Sequence, residues 1–287
     1  MSLTHKFFLA GWWIVILLSA CDGYDRQLPP LSPDAQNNKK PINTDTAAAF
    51  SRTEQMVAVS KGRYTALYGK KTAVVVDSFL IDVYPVTNAD FLAFVVANSA
   101  WRRSNIKKIF ADGNYLQAWK NDTTLGDGQL PQAPVTNVSW FAANAYAQAI
   151  GKRLPTIDEW EYVAMADEST KDARIKESYN QYILSWYETP HTYDNPIGKT
   201  YRNVWGVYDM HGLVWEWTSD FNSLLMDGEN RNTAATDNNL FCGGGSLGAN
   251  DLMNYAAFMR YAFRASIKAN YCVQNLGFRC VSNKSQI

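Results

Sequence analysis

A chain of 287 residues that is 47% apolar can bury a substantial core, and 14% aromatic content points to a fold held by large rings rather than to a helical bundle. Lysine plus arginine equals aspartate plus glutamate, 27 each, so no basic footprint argues for nucleic acid as a partner.

Lys6 precedes an apolar run from Phe7 to Leu18, short for a membrane span, which takes about 20 residues. The run ends in Leu18-Ser19-Ala20-Cys21, which resembles the lipobox of bacterial lipoproteins. That resemblance implies a signal peptide over residues 1–20, acylation of Cys21, and a membrane partner through its lipid on the periplasmic side of the cell envelope. Asp22 then favours retention in the inner membrane. An uncleaved anchor helix is the alternative. Residues 21–51, rich in Pro, Asn, Asp, Gln and Thr, read as a solvated tether. A single domain is expected over 52–283.

Within it, Met56–Val59 and the run Ala73 to Asp82 are β-branched and bounded by polar turns, the pattern of strands. Thr87 is placed to cap a helix, with Asp90 three residues on and an apolar face at Phe91, Phe94 and Val95. Ser139 caps a second helix, Trp140 to Ile150, which Gly151 ends. Thr156 and Glu159 form a capping box for a third, with Trp160, Tyr162 and Val163. Residues 167–187 suggest an amphipathic helix, and the chain beyond reads as loops and short strands. The class is α+β with much irregular structure.

Gly206 to Asp220 sets Asp209 and Glu216 among large aromatics, with Gly212 between them where the backbone can turn tightly. A carboxylate wedged between Trp215 and Trp217 is costly unless it is paired, hydrogen-bonded or bound to a cation. Two readings stand level: a hard-cation loop of side-chain and main-chain oxygens suited to calcium, or a turn whose Glu216 pairs with an arginine.

The same run resembles the "GLYDMxGNVWEW" hallmark of the formylglycine-generating enzyme, or sulfatase-modifying factor, family. Four further segments agree in order: Ile81 to Asn88 (IDVYPVTN), Pro134 to Trp140 (PVTNVSW), Gly151 to Tyr162 (GKRLPTIDEWEY) and Asn275 to Cys280 (NLGFRC). The resemblance covers residues 55 to 282 and implies that family's C-type-lectin-like fold. It implies calcium on the side chains of Asp209 and Glu216 and the carbonyls of Gly212 and Val214. The family's other calcium loop has no counterpart in residues 186–205, so one calcium is expected.

The family's aerobic oxidases hold copper(I) on two thiolates between a "GGS" turn and the terminal "GFRC", as soft sulfur ligands suit that ion. Here the interval runs from Gly244-Gly245-Ser246 to Gly277-Phe278-Arg279-Cys280, and neither expected position is cysteine. The catalytic candidates left are Cys242, Ser246 and Cys280, and a grouping of Cys242 with Met253 and Met259, or with Cys280, is the copper alternative. The methionines are more commonly core fillers. With Cys21 lipidated, Cys242, Cys272 and Cys280 allow at most one intrachain disulfide. The family's usual partner for Cys280 is replaced by Ala147. His191 and His211 are too few and too loop-bound for an iron triad. Ile183 to Tyr187 (ILSWY), Asp209 to Trp217 (DMHGLVWEW), Asp220 to Leu225 (DFNSLL) and Phe241 to Gly245 (FCGGG) together look like a cysteine-pair-lacking, NirV-like subfamily, whose members are often encoded beside copper nitrite reductases. It implies an accessory role toward a periplasmic protein partner, with aromatics near Trp205, Tyr255, Phe258 and Tyr261 offered around the former cleft. A divergent metal-dependent oxidase is the alternative.

Overall fold

The computed structural model describes residues 55–67, 72–222 and 252–283. Cys21, Asp22, Cys242 and Ser246 lie outside the described residues, as do the expected leader and the whole of the expected tether. β1 (Met56–Val59), β4 (Phe79–Asp82) and β7 (Val281–Asn283) form an antiparallel sheet in the order β1-β4-β7. Ile81 sits opposite both Val57 and Val281, so the two ends of the described domain meet on one strand. The run from Ala73 to Asp82 divides at Asp77-Ser78. Its first part, β3 (Ala73–Val76), pairs with β2 (Gly62–Thr65) instead.

Three helices begin where their caps were expected. At α1 (Asn88–Ala97) the Asp90 amide donates to Thr87 Oγ1 and the Thr87 amide donates to Asp90 Oδ2, a complete capping box that buries Phe91, Phe94 and Val95. Ser139 accepts from the Ala142 amide at the start of α2 (Trp140–Ala149), and Gly151 follows at φ +71°, the left-handed region a glycine enters without strain. α3 (Ile157–Ala164) has the Thr156–Glu159 box, and Arg153 grips Glu159 through two bonds of 2.7 Å.

Two expectations need correcting. The helix expected over 167–187 begins only at Glu177, as α4 (Glu177–Glu188). Upstream, Asp167 accepts from the amides of Ser169 and Thr170, a local turn that competes with helix. The stretch expected as loops after residue 188 contains the longest described helix, α5 (Leu252–Ser266).

Large rings fill the main core. Phe91 stacks on Tyr146 at 5.8 Å, Tyr146 meets Phe278 edge-on at 5.4 Å, and Trp217 is fully buried. A parallel pair, β5 (Trp215–Glu216) with β6 (Leu276–Gly277), places two of the sequence motifs side by side, Glu216 opposite Gly277. A Cβ at Gly277 would lie 2.6 Å from the Val135 carbonyl oxygen, so this contact needs glycine. No helix among the described residues is long and apolar enough to cross a membrane.

Candidate functional site

Asp209 and Gly212 both have positive φ, +57° and +129°. A side chain at Gly212 would press on Trp186 at 2.8 Å and Thr200 at 2.9 Å. The tight turn buries Asp209 completely, and its two oxygens accept from the amides of Gly198 and Thr200. Burial pushes the Asp209 carboxyl up, and these amides and the Arg279 charge pull it partly back.

Glu216 is differently occupied. Arg279, also fully buried, places Nε 3.0 and 2.8 Å from the two carboxylate oxygens and Nη2 2.8 Å from Oε1. The Trp160 indole N–H adds a bond of 2.8 Å to Oε2. The other donors of Arg279 go to the carbonyls of Asp82, Val83 and Tyr208. Four N–H contacts on two oxygens match the roughly four lone-pair sites of a carboxylate. Glu216 in this arrangement therefore does not fit as a calcium ligand. Asp209 keeps acceptor capacity, and no described residue donates to the carbonyls of Gly212 and Val214, so these are the oxygens left for an ion.

Beside this loop lies a cavity of about 70 Å³, lined by residues 210–216 and by residues of α3, α4 and α5. Trp186, Tyr187, Trp215 and Phe263 form an aromatic wall, with Trp215 at 4.9 Å from Tyr187 and 4.8 Å from Phe263. Arg260 and Arg264 also line it, and both pair with Glu161, one residue past Trp160. Burial alone would push the Glu161 carboxyl up, but the two guanidiniums outweigh it and hold it far below the usual carboxylate range. The Trp160 ring sits beneath Arg264, 4.9 Å from centroid to guanidinium carbon, and so joins the two carboxylate–arginine clusters.

His211 also borders the cavity. Its Nε2 lies 2.9 Å from the Ala164 carbonyl, which can only accept, so the proton is on Nε2 and Nδ1 is a bare acceptor with no partner among the described residues. Burial, with repulsion from Arg260, drives its pKa down to about 3, so the ring is neutral.

The sulfur candidates do not converge here. Cys280 and Cys272 are free, buried thiols; burial raises both, Cys280 far above the usual thiol value, and neither is poised as a thiolate. α5 occupies residues 252–266 of the interval where copper ligands were sought, and it carries no cysteine. The described residues thus do not fit a bound copper ion, and Met259 is a half-buried side chain on α5. Among the aromatics expected around the cleft, Trp205 instead packs on Tyr162 at 5.6 Å with Lys171 over its ring, while Tyr255, Phe258 and Tyr261 are on α5. Of the residues that shape the cavity, Glu161 lay within the Gly151–Tyr162 motif without a role read for it, and Arg260 and Arg264 carried no motif. The signal for Arg279 lay in the GFRC run, as a buried partner for Glu216.

This arrangement is that of a formylglycine-generating-enzyme-like domain with an arginine-lined cleft. The profile of the sulfatase-modifying factor enzyme 1-like domain matches residues 43–284, and the chain belongs to that family. It is 34% identical to the formylglycine-generating enzyme of Streptomyces coelicolor over 174 residues, covering 53% of this chain and 54% of the relative. It is 28% identical to the serine/threonine-protein kinase pkn1 of Chlamydia pneumoniae over 52% of this chain, and the match spans only 23% of that kinase. The solved structure of PvdO from Pseudomonas aeruginosa aligns over 79% of this chain and 94% of its own, with 20% identity and a TM-score of 0.48.

Proposed function

We propose that this protein is a lipid-anchored periplasmic accessory factor whose cleft recognises a partner and does not oxidise cysteine. The observation that carries the reading is α5: the helix lining the cleft carries no cysteine and turns Arg260, Phe263 and Arg264 toward the cavity. Without two soft thiolates the copper(I) chemistry of the family's oxidases has no ligand set there. The lipobox-like Cys21 supports anchoring, and the NirV-like pattern supports a copper or nitrite-respiration enzyme as the partner class. Calcium, if held, is structural and rests on Asp209 with the Gly212 and Val214 carbonyls.

The test is chemical. Full-length protein incubated with a Cys-x-Pro-x-Arg peptide, copper(I) and oxygen is expected to leave every cysteine intact by mass spectrometry. Aldehyde formation at that cysteine would overturn the reading.

A further inference from the structure

A buried arginine presents a side-on fork, its Nε–H and Nη2–H, whose spacing matches a carboxylate. Two such arginines, Arg260 and Arg264, line the cleft, and a third, Arg279, bonds the lining residue Glu216. Arg279 closes its fork on Glu216, with Nε and Nη2 each 2.8 Å from an oxygen. Arg260 closes its own on Glu161, at 3.0 and 2.8 Å. Arg264 is as buried, at 7% exposure, yet only Nη1 is engaged, 2.6 Å from Glu161. Its Nε and Nη2 bond to no described residue, although the residue lines the cavity.

Asp220, which feels its charge, accepts from the Ile157 amide, and Asp158 accepts from the Tyr64 hydroxyl, both at 2.7 Å, and neither bonds Arg264. Glu161 is one negative charge shared by two guanidiniums. Neither Nε nor Nη2 of Arg264 is among the buried polar atoms left without a partner, so both are accessible from the cavity, where an incoming acceptor can meet them.

We propose that the open fork of Arg264 is a carboxylate-binding site, and that the rings of Trp186, Tyr187, Trp215 and Phe263 take the apolar body attached to that carboxylate. This rests on the cleft being a recognition pocket and names its ligand: an acid carrying a flat apolar group, either free or as an acidic residue of a polypeptide. The Trp160 ring lies 4.9 Å from the Arg264 guanidinium carbon and holds that charge at the cavity wall by a cation–π contact. Arg264 and the four rings line the same cavity of about 70 Å³, so a carboxylate on the fork holds its apolar body beside those rings. The four rings are half-buried and so reachable from solvent.

The full-length chain in detergent is titrated with benzoate, and with a short peptide holding Glu beside Phe. Benzamide, benzylamine and the Gln version of the peptide serve as controls. Tryptophan fluorescence and calorimetry are the readouts, since three of the four rings, Trp186, Tyr187 and Trp215, are tryptophan or tyrosine. Saturable binding of benzoate assigns a free acid; binding of the Glu peptide alone assigns a polypeptide; either supports the proposal. Arg264→Gln should weaken carboxylate binding by about 10- to 100-fold and leave benzamide unaffected. Arg264→Lys keeps the charge without the fork and should restore only part. Arg260 still pairs with Glu161 in both variants, and an unchanged melting temperature checks the fold.

Equal binding of benzoate and benzamide, indifference to Arg264→Gln in a folded variant, or no saturation by either acid well past the millimolar range would each overturn it. Those failures leave the formylglycine test untouched, and aldehyde formation in that test would stand whatever Arg264 binds.

Discussion

Glu161 titrates against the whole cleft. Burial favours its neutral form, and Arg260 and Arg264 reverse that preference, so its folded pKa lies well below the ordinary glutamate value of about 4.3. A carboxyl depressed on folding gives stability that is present above the unfolded pKa and disappears as pH falls toward the folded one. Urea midpoints should therefore drop steeply below about pH 4.3. Glu161→Gln removes this contribution: the variant should be about 3–5 kcal/mol less stable at pH 7, with two buried guanidiniums unpaired, and should lose less on further acidification. A parallel fall in both proteins from pH 5 to pH 2.5 would show that Glu161 is not the group responsible. Such pairs are hard to read in a sequence. Glu161 and Arg260 are 99 positions apart, and neither belongs to a pattern that names the other.

Local hydrogen bonding decides which elements a sequence discloses. Thr87, Ser139 and Thr156 each sit before an apolar face and bond back to their own helix, so three helix starts were legible to the residue. α5 was not, because its inward side carries Arg260 and Arg264 among Ala256, Ala257 and Phe263, and this breaks the apolar period that marks a core-facing helix. Those arginines are tolerated only because Glu161, on another element, pairs with them. α3 shows what a cap contributes, since it spans only eight residues and has little length to spare. Thr156→Ala should lower stability by about 1 kcal/mol in urea denaturation. Glu159→Ala should cost more, as it also releases Arg153, and an order reversed between the two would contradict this account of the helix start.

Across the molecule, one guanidinium ties the chain's distant parts together. Arg279 lies between β6 and β7, bonds Glu216 on β5, and reaches the carbonyls of Asp82, Val83 and Tyr208, so sheet, turn and C-terminal strand share a single cation. A domain closed by a metal loses stability on chelation, because binding to the folded state alone adds RT ln(1 + [L]/Kd). With Glu216 committed to an internal cation, chelation should leave the melting temperature of the full-length protein nearly unchanged. Arg279→Met should instead lower it by about 6–20 °C, from a loss of about 3–5 kcal/mol at 2–4 °C per kcal/mol for a domain of this size. Adding Glu216→Gln to that variant should recover part of the loss, since a neutral pair no longer leaves a charge buried alone. A large fall on chelation in the unmodified protein would mean that Glu216 turns from Arg279 to a bound ion, and that the metal closes the fold.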